Sequence, residues 1–229
     1  MLKRQKLSVT SHQKITMKFL ILLSPLLFLL SCTSPSSQDA SFADSFSMIA
    51  AKDTLVFAVE MGEGAEATLP TMDTIEADVF NKMVPDSFRT KIEHILDGGD
   101  PVITRLGRFS LDADHDALGV NITAFWFRNQ SILIFDKKKQ QVVGLLPVAE
   151  FYGGDGAQIL RQSWLLSSNK EIIVRESEHA LRMEENAAEP TDSYEEWVAR
   201  YHWQKGAFLE QLTPDSTALI QHFKIDWGF

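Results

Sequence analysis

The chain has 229 residues, with 22 Lys/Arg against 31 Asp/Glu, a net charge of −9 and one cysteine. An acidic balance argues against a nucleic-acid partner, whose phosphates need a basic face, and against adhesion to anionic lipid head groups. One thiol rules out an intramolecular disulfide, so a hydrophobic core has to hold the fold.

Residues 19–30, FLILLSPLLFLL, are an apolar run of 12, within the ~7–15 of a secretory h-region and short of the ~20 that a spanning helix needs. Lys3, Arg4, Lys6, Lys14 and Lys18 precede it with no acid before Asp39, which makes a positive n-region. Translation begins at Met1 or Met17, since Met17 onward is already a complete signal. Directly after the run, Leu29-Leu30-Ser31-Cys32 resembles the lipobox of bacterial lipoproteins. The resemblance implies a diacylglycerol on the Cys32 thiol and cleavage before it, with Cys32 as the lipid anchor. Without the five Lys/Arg of residues 1–31, the remaining 198 residues carry −14. The expected organisation is a signal peptide over 1–31, a Ser-rich flexible tether over 32–52 and a single β-rich domain over 53–229.

Residues 53–60 are dense in β-formers and predict a first short strand. Ile75, Val79 and Phe80, then Phe88, Ile92, Ile95 and Leu96, recur at spacings of three and four. They predict two short amphipathic helices broken at Val84-Pro85, the second capped by Asp86 or Ser87 and ended at Gly98-Gly99. From Val102 the period changes to two. Strands are predicted over 102–111, 118–128, 131–136, 140–148, 157–166, 171–177, 198–203 and 208–212. Their short connectors favour antiparallel neighbours, because a parallel crossover needs a dozen or more residues. The fold class is therefore mainly β (α+β): an antiparallel β-meander, closed as a barrel, sandwich or partial propeller, with two short N-terminal helices.

The stretches LLSSNKEIIVRES (165–177) and RYHWQKGAFLE (200–210) resemble a degenerate FG-GAP/VCBS-type β-repeat. That family carries a calcium-binding acidic turn where this chain has Ser167, Ser168, Asn169 and Lys170, so the resemblance implies no metal there. The run from Val102 is also similar to secreted β-rich lipoproteins of Gram-negative bacteria, a likeness that implies no activity.

Asp112, Asp114 and Asp116 place carboxylates at alternate positions, as the first half of a calcium loop does. Ala117 stands where such a loop wants Gly, and Thr123 where it wants a bidentate Glu, so the competing reading is a solvated turn. Tyr152-Gly153-Gly154-Asp155-Gly156 lacks the Lys-Ser/Thr and the helix of a phosphate loop and reads as a tight turn. Phe151 and Tyr152 before it are candidates for the lip of a ligand pocket, and Trp197, Trp203 and Trp227, nearer ends or turns, for a sugar-stacking platform. Trp126 and Trp164 fall inside predicted strands and are assigned to the core. No HExxH, G-x-S-x-G or nucleophilic cysteine pattern occurs. Residues 176–196 hold eight acids and one base, Arg182, and predict a long mobile loop able to dock a basic partner.

These features describe a lipid-anchored protein of the bacterial cell envelope, at the outer membrane, acting as a non-catalytic binding or scaffold module. The alternative is an envelope hydrolase whose carboxylates converge only in the fold. The expected partners are membrane lipid through Cys32 and an envelope protein or glycan, without nucleic acid; no cofactor is expected unless the three aspartates hold calcium.

Overall fold

The computed structural model describes residues 41–50, 53–59, 74–97, 99–154, 156–168, 170–182, 191–212 and 216–225. Ala40–Phe229 form one compact unit that contains all three hydrophobic cores. Residues 1–39, and with them the apolar run, Ser31 and Cys32, lie outside the described residues.

In chain order the strands begin with β1 (Thr54–Phe57) and β2 (Thr74–Ile75), followed by helices α1 (Ala77–Met83), α2 (Asp86–Arg89) and α3 (Glu93–Leu96). Val84 is extended ahead of Pro85, whose ring disfavours helical geometry in the preceding residue, so the break falls where the sequence places it. The second predicted helix is divided by a 3-10 turn at Thr90–Ile92. Then come β3 (Val102–Ser110), β4 (His115–Ala124), β5 (Phe127–Asp136), β6 (Gln141–Gly154), β7 (Ala157–Leu166), β8 (Glu171–Arg182), β9 (Thr191–Gln204) and β10 (Ala207–Gln211), and last α4 (Ser216–His222).

The strands form one antiparallel meander in the order β10-β9-β8-β7-β6-β5-β4-β3-β2, not closed into a barrel. β6 is the pivot. Residues 141–151 of it pair with β5, interrupted by register shifts at Gln130/Ser131 and Ile134/Phe135, whereas only 150–154 pair with β7. Extra residues at such shifts bend and twist a strand. The part of β7 that β6 leaves free is taken by β1, from Thr54↔Leu166 to Phe57↔Ser163.

Three cores result. The first joins the helices to β3–β6 through Phe80, Ile92, Ile95, Ile103, Leu118 and Leu133. The second sets Ile132, Ile134 and Val148 against Leu165, Ile172 and Val174. The third is small, with Leu160 and Trp164 under Ile225. Arg175 holds that C-terminal segment to β8 by donating to the carbonyls of Ile220 (3.2 Å) and Phe223 (2.8 Å).

Three expectations need correction. The tether reading does not extend through 41–50: Ala43 and Phe46 are buried in the first core, and Ser47–Ile49 strap across β3. Ile49 N–H donates to Arg108 O and Arg108 N–H to Ser47 O, both at 2.8 Å. The strap fits because β3 shifts register between Arg105 and Gly107, and Gly107 sits at φ +135° where a Cβ would lie 2.5 Å from Ile49. The acidic stretch 176–196 is not a loop over 176–182 and 191–196. Both are strand, paired from Glu176↔Trp197 to Arg182↔Thr191, with two of their acids taken up by cross-strand ion pairs, Glu176 with Arg161 and Glu196 with Arg175; 183–190 lie outside the described residues. Finally, Trp126 is not core. The β4–β5 hairpin turns at Phe125-Trp126, leaving them 70% and 52% exposed, with Phe125 at φ +57°.

Candidate functional site

Pairing across β5 to β9 aligns Asn129, Glu150, Arg161, Glu176 and Trp197 as direct partners, so five side chains share one face. The middle of this row is an ionic chain. Glu150, 2% exposed, accepts from Asn129 Nδ2 (2.9 Å) and Arg161 Nη1 (3.1 Å) on Oε2. Its Oε1 lies 2.9 Å from His94 Nε2, which α3 brings in from the helical layer. Arg161 also donates through Nε to Glu176, 6% exposed. Ser131 Oγ supports Asn129 Oδ1 at 2.7 Å.

The two carboxyls respond in opposite directions. Burial raises both, but for Glu150 the His94 hydrogen bond, the charges of Arg161 and His94 and the Asn129 amide outweigh it, leaving it below the usual range. Glu176 stays above the usual range, because burial exceeds what Arg161 returns and Glu150 and Glu178 repel it. A split carboxylate pair is one signature of acid–base chemistry. Here, however, one guanidinium spans both groups, and the two cavities described below are lined by other residues.

The three aspartates are drawn apart. Asp112 Oδ1 accepts the backbone N–H of Asp114 and His115, both at 2.8 Å, and its Oδ2 accepts Trp203 Nε1 at 2.9 Å. Burial raises its carboxyl, yet these bonds and His115 hold it at about 2. Asp114 pairs with Lys138 at 2.8 Å and Asp116 with Lys137 at 3.2 Å. Among the described residues no group of three or more His, Cys, Asp or Glu is placed to hold a metal. A calcium ion there would have to displace two ammonium groups.

Phe151, Tyr152 and Trp203 are not brought together. Phe151 packs on the third core; Tyr152 packs on the first, with its ring 4.9 Å from His94 and 4.5 Å from Phe127. Neighbours in a strand point to opposite faces, which separates these two. Trp203 is 8% exposed in the second core, where it ties β9 to the Asp112 turn, so it is not a stacking platform. Two indoles are exposed among the described residues: Trp126, oriented by its 2.9 Å bond to Gly153 O with its ring tilted against Phe125 at 4.1 Å, and Trp197; Trp227 lies outside the described residues.

Two cavities lined by described residues bear on function. One, of about 510 Å³, is an open polar cleft between α1–α3 and β3, in which Arg89 is already paired with Asp86. The other, of about 330 Å³, lies under the strap and is walled by Met48, Ile49, Leu55, Phe109, Leu111 and Leu165, with Ser110, Ser167 and Lys170 at one side. Sequence reasoning missed both the ionic row and this cavity. A partial signal for the row exists: Glu150 interrupts the apolar run before it, and Arg161 and Glu176 each follow an apolar residue two positions back, Ile159 and Val174.

Comparison with known proteins places the chain in no family: no family model matches it, and neither does any curated protein or solved structure.

Proposed function

We propose that this protein is a lipid-anchored component of the bacterial envelope, at the outer membrane, that acts as a non-catalytic binding module. The observation that carries the binding role is the apolar cavity under the strap, whose volume of about 330 Å³ falls in the range of small-molecule sites. The support for the anchor is the lipobox-like Leu29-Leu30-Ser31-Cys32 after a short apolar run. Three acyl chains, each CH₂ contributing about 0.8 kcal/mol, would make release from the membrane negligible. Two measurements test the reading. Processing should be blocked by globomycin, and Cys32→Ser should leave an uncleaved precursor; a Cys32→Ser protein that matures and partitions into detergent normally ends the anchor reading. A fluorescent apolar probe should light up on the protein and be lost when the lining residue Ala50 is enlarged by Ala50→Trp.

A second reading, an envelope hydrolase, rests on the opposed Glu150 and Glu176 carboxyls. Hydrolysis of a nitrophenyl ester or glycoside that Glu150→Gln and Glu176→Gln each abolish, with the fold retained, would favour it over the binding module.

A further inference from the structure

The cavity under the strap has a chemical polarity that narrows what it takes. Its apolar wall comes from three separate places: the strap (Met48, Ile49), β1 (Leu55), and the ends of β3 and β7 (Phe109, Leu111, Leu165). The floor is firm, since Leu111 and Leu165 belong to the second core. Its polar lining is Ser110 at the end of β3 with Ser167 and Lys170 of the β7–β8 turn, from which Lys170 donates to the carbonyl of Leu111.

The three lysines of the β5–β6 turn are each held by a carboxylate, Lys137 by Asp116, Lys138 by Asp114 and Lys139 by Asp136. Lys170 has a backbone carbonyl and, among the described residues, no carboxylate. An ammonium carries three donors, so protons remain for an anion arriving at the cavity mouth. Charge-assisted bonds of this kind are roughly twice as strong as neutral ones.

Resting on the binding reading above, we infer that the cavity binds a single-chain anionic amphiphile, with its alkyl chain along Leu55, Phe109, Leu111 and Leu165 and its head group on Lys170. The volume, at the lower end for ligand pockets, suits one chain rather than two. A free fatty acid and a lysophospholipid share this chemistry.

The test uses the chain beginning at Ala40, which retains all three cores, and displacement of dansyl-undecanoate. Decanoate should displace the probe at least ten times more tightly than decanol, and decyltrimethylammonium should displace it no better than decanol. Lys170→Gln should erase the preference for decanoate, Lys170→Arg should keep it, and melting temperatures should confirm that both variants fold. Lysophosphatidylglycerol binding tighter than decanoate identifies a membrane-lipid source, and the reverse order a free acid; either supports the site. Uptake of probe without head-group preference, or a preference that survives Lys170→Gln, overturns the inference while leaving a binding module. No uptake at all overturns both.

Discussion

Arg161→Met is the most informative single change in the ionic row. Arg161 is the cation between Glu150 and Glu176, which are 2% and 6% exposed and have little water to replace it. Removing one partner of a buried pair costs about 3–5 kcal/mol, since a charge is left uncompensated. For a body of this size each kcal/mol lowers the melting temperature by about 2–4 °C, so a fall of about 6–20 °C is expected at pH 7. The pH dependence separates this cause from lost packing. In the native chain Glu150 lies below its ordinary 4.5, so its contribution is present above that pH and is lost as pH falls through the folded value. Glu176 lies above 4.5, so its ionisation costs stability at higher pH, and that cost is relieved as pH falls toward 4.5. Without Arg161 both carboxyls rise, and protonation should relieve much of the deficit between pH 7 and pH 5. Arg161→Met combined with Glu150→Gln and Glu176→Gln should recover most of the loss at pH 7. Calorimetric melts across this range provide the assay. A variant within about 2 °C of the native protein at pH 7, or a deficit independent of pH, would refute the electrostatic reasoning.

Asp112→Asn should loosen the β3–β4 turn and leave Trp203 Nε1 with a weaker acceptor, at a cost of about 1–3 kcal/mol and with a red shift of tryptophan emission. That cost should shrink as acid titrates the native Asp112 from 3.8 down toward about 2, since a lowered carboxyl loses its contribution over that window. Gly107→Ala introduces a Cβ 2.5 Å from Ile49 at φ +135°, and should release the strap, seen as new protease cleavage near residues 47–50. Glu196→Gln breaks its 2.5 Å bond with Arg175, which is 8% exposed, and should cost about 1.5–3 kcal/mol; an unchanged melting temperature would return Glu196 to a loop. Millimolar calcium should leave the melting temperature unaltered, since Asp114 and Asp116 already hold Lys138 and Lys137; a rise that Asp114→Asn abolishes would establish the calcium loop.

Much of the architecture was legible from local pattern. Alternation of apolar residues specifies strands whatever their neighbours, which is why residues 157–166 and 102–110 are found where period and turn residues place them. Pro85 ends a helix for reasons internal to the backbone. The misread segments are those whose outcome depends on a distant partner. Residues 176–182 and 191–196 look too charged for a sheet until Arg161 pairs with Glu176 on one face and Arg175 with Glu196 on the other, and residues 41–50 look like a tether until Gly107 opens a seat for Ile49. Trp126 reads as core by alternation, but a two-residue turn puts it at a hairpin tip. The candidate sites belong wholly to this second category. Glu150 meets His94 across 56 positions and Lys170 meets Leu111 across 59, and a sequence pattern records spacing along the chain, not convergence in space. The amino-acid order by itself determined a β-meander with its helices and the apolar run 19–30 that precedes Cys32. Tertiary structure alone decided which charges are buried together and which lysine is left facing an apolar cavity.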